Sequence, residues 1–289
     1  MSRAAALDRR RSSLSRSRRR AAILRHGFLI FACLVVLVPI LLTIIASFKD
    51  VPEFFSNPFG LPQHWRWENY QQAWTEAKIS ITLPNSIIVT ALSVAASTTL
   101  AGLAAYGISR REKPLAMLLY IVFVSGMLVP VQMIILPLFV LLKKIGLFGT
   151  VFTVVFPYTA LGLPLGVLIL TPLFAALPRD LVDAARVDGA GEFQIFRRVV
   201  LPLMRPGLAS VAILNGVWMW NEFFIPLILQ VKSTTQPLPV GIMSFVGVYS
   251  TAWGLVFASV VVSAAPIVIA YLLMTRQFVA GLTAGAIKG

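Results

Sequence analysis

The sequence predicts an all-α integral membrane protein with six transmembrane helices. Of its 289 residues, 58% are hydrophobic and only 12% are charged, and the mean hydropathy is +0.84. Soluble domains carry about a quarter charged residues, so a water-soluble fold is excluded. Six apolar runs each reach the roughly 20 residues that a helix needs to cross a bilayer. These runs cover residues 27–48, 84–108, 115–142, 150–174, 207–230 and 253–275.

The distribution of lysine and arginine predicts how these spans are oriented. Residues 1–26, 110–113, 177–206 and 276–289 hold 19 of the 25 basic residues, and the remaining six lie in the alternate loops. Cytoplasmic loops carry the excess of Lys and Arg in membrane proteins. Both termini and the loop at 177–206 are therefore predicted to be cytoplasmic. The formal net charge of +14 has mostly the same origin and does not indicate nucleic-acid binding.

Residues 1–26 form a basic arm that precedes the first span. The arm holds nine arginines and one acidic residue, Asp8, with interspersed serines and no apolar periodicity. Such a segment is predicted to be disordered and is able to contact anionic lipid head groups. The apolar run at 27–48 is too long for a signal-peptide core, so we predict a retained anchor. The rest of the chain, 27–289, forms the transmembrane domain.

The first outer segment, residues 49–83, is rich in aromatic side chains. Its sequence WRWENYQQAW contributes Trp65, Trp67, Tyr70 and Trp74. Amphipathic rings gather at membrane–water interfaces, so we predict an interfacial belt that packs this segment onto the membrane. The alternative is that the rings stack on a sugar.

Two glycines of the fourth span, Gly162 and Gly166, match the G-x-x-x-G pattern of close helix contacts. One match in an apolar run is weak support for a contact, and two incidental glycines are an equal alternative. Prolines inside the spans are expected to kink the helices. Membrane bundles tolerate such kinks because neighbouring helices can satisfy the freed backbone groups.

Residues 177–206 form the longest charged island in the second half of the chain. They contain five arginines and four acidic residues between long apolar runs, so the segment must project into water. Pro178 and Asp180 favour a first helical turn, and Gly189 suits a helix C-terminus with positive φ, which predicts two short helices with a corner. After the corner, one helix face is predicted to carry Phe193, Phe196 and Val200. The alternative is an ordinary amphipathic loop.

The sequence DAARVDGA at 183–190, followed by VVLP at 199–202, resembles the cytoplasmic EAA loop of importer-type ABC permeases. The family pattern is Glu-Ala-Ala, three residues, Gly and an apolar-Pro ending, and this chain departs from it with Asp183 in place of Glu. The sequence WNEF at 220–223 is similar to the family's WN(D/E)F signature. The last residues, 276–289, match the C-terminus of maltose-type sugar permeases.

This resemblance implies a permease subunit of an ATP-driven ABC importer for a carbohydrate, an oligosaccharide or a glycoside. The implied partners are two ABC ATPase subunits, a second homologous permease, an extracytoplasmic sugar-binding protein and the lipid bilayer of a bacterial or archaeal plasma membrane. The 177–206 loop is implied to dock in a cleft of the ATPase as a coupling helix, and the 276–289 tail to contact the same subunits.

The resemblance also implies roles for individual residues. Asp183 and Asp188 are expected to pair with basic residues of the ATPase. The residues implied for coupling are Asp183, Ala184, Ala185, Asp188, Gly189, Ala190, Phe193, Phe196 and Pro202. The residues implied for the contact of the tail are Gly281, Leu282, Thr283, Ala284, Gly285 and Lys288.

The fifth span carries the only acidic residue in any of the six spans, Glu222. A carboxylate in hydrocarbon costs about 3 kcal/mol unless it faces protein, water or a partner. One hypothesis puts Trp218, Asn221 and Glu222 on a translocation path, where the polar side chains hydrogen-bond sugar hydroxyls. The other is a satisfied polar cluster that holds helices together or faces the outer interface.

The sequence contains no motif for catalysis or cofactor binding. It lacks the G-x-x-x-x-G-K-[ST] phosphate loop, H-E-x-x-H and a nucleophile elbow, and its single cysteine, Cys33, excludes a multi-cysteine metal site. We therefore predict a transport subunit that is not an enzyme and holds no metal or cofactor. The alternatives are an ABC permease for another solute, an ion-coupled secondary transporter and a membrane scaffold. One acidic residue in six spans offers little for ion coupling.

Overall fold

The computed structural model describes the backbone of residues 3–230, 232, 234–247 and 251–286, and the side chains of 22–178, 180–230, 232, 234–247 and 251–273. Helices dominate these residues, and the one β pairing among them is a bridge between Val246 and Thr251. The α-helices are α1 (Arg3–Ala46), α2 (Val51–Ser56), α3 (Glu68–Glu76), α4 (Ile79–Ser109), α5 (Lys113–Ser125), α6 (Val131–Lys144), α7 (Phe152–Ala175), α8 (Arg179–Val187), α9 (Glu192–Ile195), α10 (Leu201–Leu203), α11 (Arg205–Asn221), α12 (Phe224–Leu229), α13 (Leu238–Ile242) and α14 (Trp253–Ala286).

Four helical segments are long and apolar enough to cross a membrane. They are the whole of α4, the whole of α7, the part Ala22–Ala46 of α1 and the part Trp253–Leu273 of α14. Two further apolar segments are pairs of helices with a sharp bend. Lys113–Leu128 meets α6 at 97°, and Glu192–Leu203 meets α11 at 74°. The part of the chain that the structure describes therefore holds four spans, or up to six if each bent pair counts as one.

The third predicted span, residues 115–142, is not one continuous helix. Its first half ends at Val129, whose φ of −85° and ψ of 112° are extended, and α6 begins only after Pro130. The residue before a proline is disfavoured in the α region, and the proline ring lacks the N–H of a helical bond. We expected prolines to kink the spans, and at Pro130 the chain turns by 97° instead.

α1 begins at Arg3, so its backbone is helical through the basic arm, where the sequence predicted disorder. Alanine, leucine and arginine are frequent in the arm and are strong helix formers. The arm also continues directly into the first span, so its helix extends an existing one and needs no costly nucleation step of its own.

α4 and α7 run parallel and are in close contact. A Cβ atom built on Gly166 would lie 2.5 Å from the Cβ of Ala101, and one built on Gly162 would lie 3.0 Å from the Cβ of Ser97. Small residues at such positions let two helix backbones approach each other in a membrane. The contact hypothesis for the G-x-x-x-G pair is therefore confirmed.

α11 packs against α4 in the opposite direction. A Cβ atom on Gly102 would lie 3.2 Å from the side chain of Leu208, near the start of α11. A Cβ atom on Gly216, near the end of α11, would lie 3.6 Å from the side chain of Val94. Glycines thus line the α4–α11 contact as they line the α4–α7 contact.

One buried amide joins all three helices. Asn215 of α11 is 1% exposed, and its Nδ2 donates to Ser97 Oγ at 3.3 Å and to the carbonyl oxygen of Gly162 at 3.2 Å. A buried polar group without a partner is costly, so this pair of hydrogen bonds favours one arrangement of α4, α7 and α11.

The two ends of the helix bundle hold different segments of the chain. At one end, Arg110 follows the last residue of α4, and the ring of Tyr106 contacts Phe196 of the 177–206 segment. At the opposite end, the start of α14 packs on the residues that follow α1, where Gly254 lies against the carbonyl of Lys49. The basic segments 110–113 and 177–206 therefore share one end of the bundle.

The residues after α1 form a compact cap at the second end. The Lys49 side chain is fully buried, and its ammonium donates to the carbonyl oxygens of Asn57 at 2.5 Å and Gly60 at 2.6 Å. Asn69 Nδ2 donates to the carbonyl oxygens of Ser47 at 2.8 Å and Lys49 at 3.0 Å. Side-chain donors and backbone acceptors therefore hold this cap together.

Three of the four aromatic residues of the predicted belt gather around Phe48, and the fourth, Trp74, is exposed. The centroid of the Phe48 ring lies 5.1 Å from that of Trp65, 4.7 Å from that of Trp67 and 5.2 Å from that of Tyr70. Trp65 and Trp67 remain exposed on their outer faces. Aromatic rings in such pairs bury much apolar surface and fix their relative orientation.

Candidate functional site

The 177–206 segment folds into the two short helices and corner that its sequence predicts. α8 starts after Pro178 and has Asp180 in its first turn, and α9 follows the corner. A π-helical turn, Phe196–Val200, then leads through α10 into α11. Single π turns are frequent at functional sites. We call residues 177–206 the 177–206 loop.

The corner of the loop is a glycine-terminated helix end. Gly189 has a φ of +83°, and its N–H donates to the carbonyl of Arg186 at 3.0 Å. The N–H of Ala190 donates to the carbonyl of Ala185, also at 3.0 Å. These two bonds are those of a Schellman motif, in which the residue with positive φ is usually glycine. A Cβ on Gly189 would meet nothing within 4 Å, so backbone conformation and not space requires glycine.

Arg186 ties the two helices of the loop together. Its Nη1 lies 3.0 Å from Asp183 Oδ1 on the same helix, and its Nε lies 2.8 Å from Glu192 Oε1 at the start of α9. The hydrogen bond to Glu192, and then the charge of that carboxylate, raise the pKa of the Arg186 guanidinium. Asp183, expected to pair with a partner protein, therefore already has a basic partner within the loop.

The inner face of the loop belongs to the core of the bundle. Val182 of α8, Ile195 of α9 and Val200 of the π turn are all buried. They lie in one apolar cluster with Ile108 of α4 and Phe174 of α7. The loop is therefore packed onto the ends of the helices and does not hang free in water.

The two most exposed of the large apolar side chains in the loop point away from the bundle. Val187 is 88% exposed and Phe193 is 73% exposed. The prediction that Phe193, Phe196 and Val200 share one face is therefore wrong for Phe193. The buried stripe runs through Ile195 and Phe196, and the wider π turn keeps Val200 in line with them.

The remaining residues implied for coupling lie on the same loop. Ala185 and Ala190 are half-buried, while the exposed ones are Asp183, Ala184, Asp188, Gly189 and Pro202. Sequence reasoning missed Arg186 and Val187. Arg186 follows Asp183 by three residues, a spacing that brings side chains together on a helix, and this signal was available.

The fifth predicted span, residues 207–230, is interrupted at Glu222 and consists of two helices. α11 ends at Asn221, Glu222 is extended with φ −66° and ψ 129°, and α12 begins at Phe224. Glu222 Oε1 accepts a hydrogen bond from the N–H of Ile225 at 2.9 Å, which caps α12.

Neighbouring side chains hold this interruption in place. The Tyr158 hydroxyl donates to the carbonyl of Glu222 at 3.3 Å, and the Tyr158 ring lies 5.6 Å from that of Trp218. The exposed side chain of Asn221 donates to the carbonyl of Val217 at 2.8 Å. The contacts of Glu222 are therefore those of the polar-cluster hypothesis, while Asn221 and part of Trp218 face outward.

The predicted tail is only partly described. The backbone of residues 276–286 continues α14. Only the backbone is described for Gly281, Leu282, Thr283, Ala284 and Gly285, and Lys288 lies outside the described residues. Within the described part of the chain, no group of three His, Cys, Asp or Glu side chains is placed to hold a metal ion.

Comparison with known proteins identifies close relatives. The chain is 37% identical over 280 residues to the diacetylchitobiose uptake system permease protein NgcG of Streptomyces coelicolor, covering 96% of this chain and 92% of that one. It is 36% identical over 264 residues to the trehalose/maltose transport system permease protein MalG of Thermococcus litoralis, covering 90% and 94%.

The fold has a counterpart among solved structures. A chain of a bacterial ABC transporter involved in the import of the acidic polysaccharide alginate superposes with a TM-score of 0.75 at 22% identity, covering 91% of this chain and 98% of that one. The family described as binding-protein-dependent transport system inner membrane component matches residues 97–279, which include the whole 177–206 loop. The chain therefore belongs to this family of ABC importer permeases, which are transport subunits of the inner membrane.

Proposed function

We propose that this chain is the permease subunit of an ATP-driven importer for a carbohydrate, an oligosaccharide or a glycoside. The observation that carries the proposal is the 177–206 loop, whose inner face is buried in the bundle while Val187 and Phe193 are exposed. Two exposed apolar side chains beside a conformationally fixed corner suit insertion into a cleft of another protein. The names of the relatives, for diacetylchitobiose and trehalose/maltose, support the substrate class.

The proposed topology has six spans, with both termini and the 177–206 loop in the cytoplasm of a bacterium or archaeon. It counts each of the two bent helix pairs as one span. The excess of basic residues in segments 110–113 and 177–206, which share one end of the bundle, supports a cytoplasmic position for that end.

The proposed complex contains two ABC ATPase subunits, a second homologous permease and an extracytoplasmic sugar-binding protein. A single bundle of this size cannot enclose a sugar, so the second permease would complete the path. The 18-residue apolar window of the first span has none of its residues buried, which leaves that helix free to contact lipid or another subunit. The ATPases would grip the 177–206 loop and the tail at 276–289.

The loop would act as a rigid lever. ATP-driven closure of the ATPase pair would move the docked α8–α9 corner, and the movement would switch the path between inward-facing and outward-facing arrangements. The Schellman bonds at Gly189 and the ion pairs of Arg186 would keep α8 and α9 at a fixed angle while the ATPase moves the loop. On the path itself, Trp218 and Asn221 would meet the sugar, with Glu222 fixing the break that exposes them.

The proposal is tested by capture of tagged protein from its native membrane, followed by mass spectrometry. The variants are Gly189→Pro, which forces a negative φ and removes an N–H donor, and Gly191→Ala, whose φ of −71° suits any residue and whose Cβ meets nothing within 4 Å. Wild type and Gly191→Ala should recover the ATPase, a second permease and a sugar-binding protein. Gly189→Pro should lose only the ATPase.

Two results would contradict the proposal. The wild-type chain could be recovered alone from membranes that carry out uptake, or Gly189→Pro could retain the ATPase as well as Gly191→Ala does. The substrate class is tested separately by ATP-dependent uptake of oligosaccharides by the reconstituted complex, with peptides and amino acids as competitors. The carbohydrate assignment would be overturned if peptides competed with the labelled oligosaccharide and an excess of unlabelled oligosaccharide did not.

A further inference from the structure

Tyr106 lies near the end of α4 and contacts the 177–206 loop directly. Its ring centroid is 5.1 Å from that of Phe196 in the π turn and 5.7 Å from that of Phe174 in α7. Four residues later, immediately after α4, the guanidinium carbon of Arg110 lies 5.2 Å from the Tyr106 centroid. One aromatic ring thus touches the loop, α7 and the cation that follows its own helix.

The link between α4 and the loop consists of packing alone. The chain connects the loop to α7 on one side and to α11 on the other, whereas α5, α6 and α7 all lie between α4 and the loop in the sequence. Tyr106 is the single aromatic residue of α4. Besides Tyr106, the part of α4 that packs in the cluster with the loop consists mainly of small residues and Ile108. The Tyr106–Phe196 contact is therefore the one aromatic contact between the described residues of α4 and the loop.

Hydrogen bonds do not hold this arrangement among the described residues. The Tyr106 hydroxyl and the Nε and Nη2 atoms of Arg110 are buried, and no described residue hydrogen-bonds any of them. The attraction between the guanidinium and the ring face is strengthened by the removal of water. The tilted and edge-to-face contacts of the rings thus fix the position of Tyr106, and its hydroxyl contributes little to it.

We propose that Tyr106, held between Phe196 and Arg110, is a positioning residue that makes α4 move together with the 177–206 loop. The inference rests on the proposed function, since it presumes that an ATPase moves the loop. α4 packs closely on both α7 and α11, so a loop that also grips the end of α4 displaces all three helices as one unit. Without the aromatic joint, the end of α4 would follow the loop only indirectly, through its contacts with α7 and α11, and ATP hydrolysis would be poorly converted into opening of the path.

The test uses the complete complex reconstituted in proteoliposomes with its ATPase and binding protein. Sugar uptake and ATP hydrolysis are measured together for wild type, Tyr106→Leu and Tyr106→Phe. Tyr106→Leu should lower the sugar moved per ATP by about fivefold, the lower end of typical coupling between protein sites. Tyr106→Phe keeps the ring and should match wild type. Both variants should still co-purify with the ATPase.

A second variant addresses the loop side of the joint. Phe196→Leu should lower the sugar moved per ATP as Tyr106→Leu does, and the double variant should be no worse than either one, because both remove the same contact. It also keeps the inference testable if Tyr106→Leu does not fold.

Three results would overturn the inference. They are an unchanged ratio in Tyr106→Leu and Phe196→Leu, an equal loss in Tyr106→Phe, and fully additive losses in the double variant. Failure of the proposed function is distinguishable from all of these, because it would appear in wild type as absent ATPase or absent ATP-dependent uptake.

Discussion

Gly166 of α7 faces Ala101 of α4 so closely that a Cβ on the glycine would lie 2.5 Å from the Cβ of the alanine. Real Cβ atoms do not approach to this distance, so any larger side chain at 166 must push the two helices apart. α4 ends beside the 177–206 loop, and α7 leads directly into it. The glycine therefore sets the spacing of the elements on which the loop rests.

Gly166→Val should destabilise the fold by about 1–3 kcal/mol, the usual cost of overpacking. The measurement is thermal unfolding of the purified chain in detergent, followed by tryptophan fluorescence. The matched control is Gly107→Ala in α4, where a Cβ would meet nothing within 4 Å and alanine is the better helix former. Equal melting temperatures for Gly166→Val and Gly107→Ala would contradict the close contact.

Asn215→Leu should cost about 1–3 kcal/mol, because it removes a buried donor and leaves the Gly162 carbonyl without that partner. The same unfolding experiment measures it. Ser125→Ala is the control, since the exposed Ser125 hydroxyl bonds only the carbonyl of Val122 in its own helix. A leucine variant as stable as wild type would show that apolar packing replaces the amide without loss.

Glu222→Gln should retain both stability and uptake, because the amide oxygen of glutamine can still accept from the N–H of Ile225. Glu222→Leu loses the cap and should cost about 1 kcal/mol and lower uptake. The two variants are compared by unfolding and by sugar uptake. Loss of uptake in Glu222→Gln with unchanged stability would instead assign the negative charge itself to the translocation path.

Asn85→Ala should loosen the segment that follows α12. Asn85 Nδ2 donates to the carbonyls of Thr234 at 2.9 Å and Gln236 at 3.1 Å, and each bond contributes about 1 kcal/mol. Hydrogen exchange should become faster in peptides that cover 234–247. Ser80→Ala, an exposed position in the same helix, is the control. Unchanged exchange in Asn85→Ala would show that the segment is held by other contacts.

Features that depend on local chemistry could be predicted from the sequence. The apolar runs, the basic segments and the corner at Gly189 each follow from neighbouring residues. The corner in particular needs only a helix end and a residue that tolerates positive φ. The family resemblance rested on the same short patterns, and the comparison with relatives confirmed it.

Features that depend on distant partners could not be predicted. Asn215 is one polar residue in an apolar run until α4 and α7 bring Ser97 and Gly162 to it. Tyr106 gains its neighbours only through packing of the loop. The buried stripe of the loop passes from Ile195 to Val200 through a π turn, and a regular 3.6-residue period does not contain that register change.

At the end of the bundle that carries the cap, three side-chain donors bond only to main-chain acceptors. Lys49, Asn69 and Asn85 donate to backbone carbonyls, and every amino acid supplies a carbonyl. These bonds thus depend on the three donor positions and place no demand of their own on the side chains at the acceptor positions. Substitutions at the acceptor positions can therefore change the chemistry of this surface while the three sets of hydrogen bonds are kept.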